Sequence, residues 1–236
     1  DMGWMHDTLE LFQTGPEYRS DNYHKLSFSM MYFGDEHYLL PLSHDEVVHG
    51  KATIAQKMWG DYELKFGQAR ALYLYMFAHP GKKLNFMGSE IAQLREWDEE
   101  REQDWFLRGY PQHDAFFRFC AELNKVYADN PALWEQDYQE AGFAWREVSA
   151  EKDVVYAFER VCDEQRLLCV LNLSDRTHTA YPISVPGTER AKDLLNSDWD
   201  RFGGATPEAA HSWCTVTDET LELDLPAFSG QLLVLE

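Results

Sequence analysis

The sequence predicts an α/β half followed by an all-β half, and three observations carry that division. From Asp1 to about Trp134 short apolar runs alternate with helical periodicity, the mark of repeated strand–helix units around a parallel sheet. From about Glu135 the helical period gives way to short strands separated by turn residues. An apolar run, Tyr38-Leu-Leu-Pro-Leu42, ends abruptly in Ser43, His44, Asp45 and Glu46, as a strand does where it opens onto the mouth of an α/β barrel and active sites form. Two domains are expected, residues 1–134 and 135–236.

In chain order, the strand at 37–42 should bury Leu39, Leu40 and Leu42. Asp61 is placed to cap a helix with Glu63 in its first turn, facing the dipole, and with Leu64, Leu72, Tyr73, Met76 and Phe77 largely on one face. His79-Pro80-Gly81 stops that helix. Residues 83–88 read as the next strand, breaking at Gly88 just before Ser89 and Glu90, and a second long helix runs from about Asp114 to Asn130-Pro131. Further strands are expected at 143–148, 154–160, 166–173, 179–185, 221–225 and 231–235. Leu221, Leu223 and Leu225 alternate with Glu222 and Asp224, which predicts an antiparallel sandwich with one wet face.

The chain carries 41 acidic and 21 basic residues, a formal charge of -20, so its field repels nucleic acid and anionic lipid. Neutral ligands such as sugars meet no such barrier. Four cysteines without C-x-x-C spacing read as reduced thiols, and no stretch approaches the roughly 20 apolar residues of a membrane helix. A cytoplasmic location is expected, with no cofactor. The start at Asp1, close to apolar sequence, suggests a piece of a longer polypeptide.

His44 and Asp45 are the candidate reactive pair, with Glu90 at the end of the following strand as a second acid on the same rim. A metal reading fails on context. Glu46-x-x-His49 and Glu208-x-x-His211 have di-iron spacing, but that chemistry needs long helices, which Pro207 and the β half deny to the second motif. Trp97 and Trp105 lie in an acidic loop, Arg95-Glu-Trp-Asp-Glu-Glu-Arg-Glu-Gln-Asp-Trp105, and their flat faces suit stacking on sugars or packing of the loop itself.

Several segments together resemble the glycogen branching enzymes of the alpha-amylase family: Met2-Gly-Trp-Met-His-Asp-Thr-Leu9, Leu40-Pro-Leu-Ser-His-Asp-Glu-Val-Val-His-Gly-Lys51, His79-Pro-Gly-Lys-Lys-Leu84, and Phe86-Met-Gly-Ser-Glu90 with Arg95-Glu-Trp97. The resemblance is densest over residues 1–105. It implies the C-terminal part of a (β/α)8 TIM barrel, about the last three β-α units with the first strand near Trp4, followed by an antiparallel β-sandwich. It also implies a retaining transfer in which an alpha-1,4-glucan is cleaved and the chain is passed to a 6-hydroxyl, making an alpha-1,6 branch. Asp45 matches the carboxylate that stabilises the transition state and His44 its neighbour; Trp4, Glu90 and Trp97 are the implied substrate contacts. The nucleophilic aspartate and acid/base glutamate belong to earlier strands, so these 236 residues are expected to be inactive alone. Ser89 stands where the family usually has asparagine, and Ala52-Thr53 after Lys51 also depart from its pattern. Partners implied are the alpha-glucan itself and either the rest of the barrel or a second copy at the open sheet edge. A noncatalytic glucan-binding or scaffold module and a hydrolytic member of the alpha-amylase family are the alternatives.

Overall fold

A computed structural model describes residues 1–163, 165–208 and 213–236. His211 lies outside the described residues, so its pairing with Glu208 has no structural account. The first element is a helix, α1 (Met2–Gln13), where a strand near Trp4 was expected. The reason is spacing: Trp4, Met5, Thr8, Leu9, Leu11 and Phe12 are the buried positions, a helical stripe, and Asp1 caps it by accepting the Trp4 N–H at 2.8 Å. Short helices α2 (Pro16–Arg19) and α3 (His24–Ser27) lead to β1 (Leu39–Leu42). After it come α4 (Ile54–Lys57), α5 (Tyr62–Ala78), β2 (Lys82–Asn85) and α6 (Pro111–Asp129).

β1 and β2 pair in parallel, Leu40 opposite Lys83 and Leu42 opposite Asn85. The first half thus holds two strand–helix units, β1–α5 and β2–α6, and a two-stranded sheet in place of the three expected barrel strands. Leu39, expected to be buried, is exposed, while Leu40 and Leu42 are sealed. α5 begins where Asp61 accepts the Leu64 N–H at 3.2 Å and ends at His79. Its burial is broader than one face: Gln68 to Ala78 are all buried, and Leu64 is exposed. α5 is enclosed because β10 lies against it as well as α6.

The second half contains β3 (Phe143–Ala150), β4 (Val155–Cys162), β5 (Gln165–Asn172), β6 (His178–Ser184), β7 (Arg190–Asn196), β8 (Cys214–Thr215), β9 (Thr220–Leu225) and β10 (Ser229–Leu235). Six form an antiparallel sheet in the order β3-β4-β5-β10-β7-β8, and β6 and β9 form a second sheet. β7 and β8 were not anticipated. The large sheet is covered on both faces. Val155, Ala157, Leu168, Val170, Leu233 and Leu235 point to the small sheet, where Ile183, Leu221, Leu223 and Leu225 meet them. The alternate residues Tyr156, Phe158, Leu167, Cys169, Leu171 and Leu232 join the core of the helical half. The two expected domains therefore share one core.

Three buried arginines cross that junction. Arg19 donates from Nη1 to the Leu173 carbonyl (2.7 Å), Arg70 from Nε to Ser197 (2.6 Å), and Arg160 from Nη1 to Ala78 (2.7 Å). Arg160 also pairs with buried Asp137 at 2.9 Å, and Asp137 takes a second partner in Lys82 at 3.0 Å. Burial lowers the Arg19 and Arg70 guanidiniums to about 10, leaving them charged at neutral pH. Among the described residues no helix is long and apolar enough to cross a membrane.

Candidate functional site

β1 delivers the site. Its apolar residues stay in the core to Leu42, and the chain then turns through a single 3-10 turn, His44–Glu46, beyond the strand's C-terminal end. That turn leaves His44 and Asp45 exposed, with His44 Nε2 3.2 Å from Asp45 Oδ1, while Glu46 is turned inward to Lys51 at 3.2 Å. The His44 ring is held from behind by Phe86 (5.7 Å between centroids) and by Trp97 edge-on (6.2 Å).

An open groove of about 760 Å³ runs past His44 and Asp45, with Val48, Arg95, Trp97 and Glu99 among its walls. The loop forming the far wall is tied back on itself, since Arg95 bonds Asp104 Oδ1 through Nε (3.2 Å) and Nη2 (3.0 Å). Trp97 is anchored through its backbone, which donates to the Val47 carbonyl at 2.9 Å. A carboxylate and an imidazole side by side in an open groove, flanked by an indole, can hold hydroxyls and oppose positive charge that develops on a bound molecule.

Two other expected contacts lie elsewhere. Trp4 is 1% exposed inside α1, packed against Tyr75 at 6.0 Å and His79 at 5.9 Å, so it presents no face to a ligand. Glu90 sits half-buried in the 3-10 turn Ser89–Ile91 after the left-handed Gly88, where burial raises the Tyr73 hydroxyl and the Cys120 thiol and its charge adds to the rise, and it does not line the groove. The turn after β2 rotates it toward the helices, so successive strands do not bring two acids to one rim.

Sequence reasoning passed over Lys57 and Glu96. Glu96 accepts the Gly50 and Ala52 N–H groups at 2.9 and 2.7 Å, which hold its carboxyl below the usual range. It sits in an acidic run that reads as solvated surface; a carboxylate beside the expected groove was the available signal. As for metals, Glu46 and His49 share no helix. Among the described residues Glu135, Cys162 and Asp163 bring ligand atoms within 4.8 Å of one another at the β4–β5 turn. There a hydrogen bond to Glu135 pushes the Cys162 thiol up to about 11, away from the thiolate a metal binds.

Residues 145–236 match the alpha-amylase C-terminal all-beta domain. The chain is 44% identical over 206 residues to a 1,4-alpha-glucan branching enzyme of Pseudomonas putida, covering 87% of this chain and 28% of that protein. It is 43% identical over 207 residues to that of Oceanobacillus iheyensis and 44% over 207 residues to that of Albidiferax ferrireducens, again 87% of this chain and 32% and 33% of theirs. The chain thus spans about a third of the length of these relatives. Identity at this level over 87% of the chain, together with the matched all-beta domain, makes the chain similar to the C-terminal part of 1,4-alpha-glucan branching enzymes.

Proposed function

We propose that this chain is the C-terminal portion of a glycogen branching enzyme, in which Asp45, assisted by His44, steadies the sugar as its anomeric carbon becomes oxocarbenium-like. The observation supporting the reading is the exposed His44–Asp45 pair at the end of β1 in a groove wide enough for a hexose. A fixed acceptor for ring hydroxyls tightens its hold as charge builds, an effect typically worth on the order of 10² to 10³ in rate. Trp97 offers an apolar face to the glucan. Retaining transfer also needs a nucleophile and an acid/base about 5 to 5.5 Å apart. By resemblance those two lie on earlier strands of the same barrel, outside these 236 residues, so this polypeptide alone does not branch amylose. β1 and β2 would take their remaining strand partners from the rest of that barrel or from a second copy.

Two assays test the reading. Amylose incubated with the 236-residue chain should gain no alpha-1,6 linkages; turnover near that of a complete branching enzyme would show that the missing carboxylates are not missing. Asp45→Ala in the full-length protein should lower transfer by about 10² to 10³-fold without unfolding it, and near-normal transfer removes Asp45 from its role. Release of new reducing ends without new branches would identify a hydrolase. The noncatalytic reading finds support in Trp213, partly exposed with Arg190 4.4 Å and Lys192 5.8 Å from its ring. Calorimetry with maltoheptaose separates them: binding lost with Trp213→Ala and indifferent to Asp45→Ala favours a binding module.

A further inference from the structure

The loop that follows Asp45 does not hold its own shape. Between Glu46 and Thr53 it passes through three left-handed residues, His49 (φ 58°), Gly50 (φ 79°) and Ala52 (φ 67°). For His49 and Ala52 this conformation costs on the order of 1 kcal/mol or more each, so surrounding groups must fix it. One side chain does most of this. Lys57, the last residue of α4 and 8% exposed, directs its ammonium at three backbone carbonyls: Glu46 at 2.6 Å, Lys51 at 2.5 Å and Ala52 at 2.8 Å. All three ammonium donors are spent on that loop, and its two ends are drawn onto one point. α4 itself is fixed by a capping box between Thr53 and Gln56. Glu96 takes the Gly50 and Ala52 amides, so Ala52 is bound through both its N–H and its C=O.

We propose that Lys57 is a positioning residue: it knots the 46–52 loop and so sets where His44 and Asp45 stand in the groove, without touching the glucan. The inference rests on the role assigned to Asp45 above. A compact ammonium suits this task because it offers three donors around one centre, whereas the planar guanidinium of arginine splays its donors apart. A displacement of about 1 Å in a reacting group lowers rate by as much as about 10²-fold.

The test uses a full-length branching enzyme that carries this sequence, with Lys57→Met, Lys57→Arg, Asp45→Ala and the double variant Asp45→Ala/Lys57→Met. Lys57→Met should lower kcat by about 10²-fold while KM for amylose stays within about threefold. The Ala52 and Gly50 amides should exchange at least tenfold faster while those of α5 and β4 are unchanged, and Lys57→Arg should restore part of both. The double variant should lose clearly less than the product of the two single losses, because only His44 is left for a displaced loop to misplace. Should Lys57→Met not fold, Lys57→Arg decides by the same two readings: a fall in kcat that tracks faster Ala52 exchange supports the proposal, and wild-type values in both overturn it. Losses that multiply in the double variant also overturn it. If Asp45→Ala leaves transfer intact, the assignment of Asp45 fails; if Asp45→Ala cuts it by about 10² to 10³-fold and Lys57→Met is silent, only the positioning role of Lys57 fails.

Discussion

The two sheets of this protein are built to opposite specifications. In the antiparallel sheet the middle strands β4, β5 and β10 are buried on both faces, the helical core on one side and the small sheet on the other. The parallel sheet is less completely covered: Leu40, Pro41 and Leu42 are buried, whereas Leu39 is 45% and Leu84 38% exposed. Burying one such side chain fully contributes about 1.5 to 3 kcal/mol, so the large sheet carries the stability and the small parallel one carries the exposed His44–Asp45 turn. His44 and Asp45 reach solvent because β1 runs out of core at Leu42.

The contrast breaks if substitutions in the two sheets cost the same. Phe158→Ala, in β4 between Phe143 (5.1 Å) and Trp145 (5.6 Å), should cost about 3 to 5 kcal/mol and lower Tm by roughly 10 °C. Leu84→Ala on the open face should stay within about 0.5 kcal/mol; urea melts of the pair decide it. Arg160→Met, which leaves Asp137 buried with Lys82 alone, should cost about 3 kcal/mol by the same measurement.

A smaller effect sharpens the comparison through pH. His79 stands at the junction, its neutral ring donating from Nδ1 to the Pro80 carbonyl (2.7 Å) and accepting at Nε2 from the Ser29 hydroxyl (3.0 Å), and burial holds its pKa down to about 3, with Lys83 and Arg160 acting in the same direction. The unfolded chain protonates this ring near its ordinary 6.5, the folded chain only near 3. Its stability contribution is therefore complete above pH 6.5 and is lost progressively as pH falls toward 3, about 2 kcal/mol by pH 5. His79→Gln should remove about that much of the difference between urea midpoints at pH 7 and pH 5; an unchanged difference would mean that the ring already titrates normally in the fold.

How much of this was legible depended on whether the cause was local. Asp61 as a cap, His79-Pro80-Gly81 as a stop and the alternation of Leu221, Leu223 and Leu225 act within a few residues, and the elements they predicted are present. α6 was also anticipated, starting three residues early because Pro111 suits a first helical position. The strand near Trp4 was implied by the resemblance alone, whereas the residues themselves, Trp4, Met5, Thr8, Leu9, Leu11 and Phe12, space a helical stripe. β7 was invisible: Lys192 and Asp193 interrupt its apolar residues, and pairing with β10 holds it in place. The enclosure of α5 was equally out of reach, since the sheet that covers it comes from the other half of the chain. At the site, the His44–Asp45 pair was readable from an apolar run ending in charge. Glu90 was misplaced because a left-handed Gly88 redirects the chain, and Lys57 was missed because its partners are backbone carbonyls.

The smallest expected effect on stability belongs to the residue with the largest expected effect on function. Asp45 is exposed and pairs with the exposed His44 at 3.2 Å, so the pair contributes little to the fold in high dielectric. Asp45→Ala should shift the urea midpoint free energy by less than about 0.5 kcal/mol. Glu46 beside it is buried, pairs with Lys51 and offsets the charge of the buried Lys57 ammonium, so Glu46→Ala should cost more. If Asp45→Ala proved as destabilising as Glu46→Ala, the carboxylate would be part of the scaffold that holds the turn, and the division between stabilising core and exposed turn would no longer run between β1 and its loop.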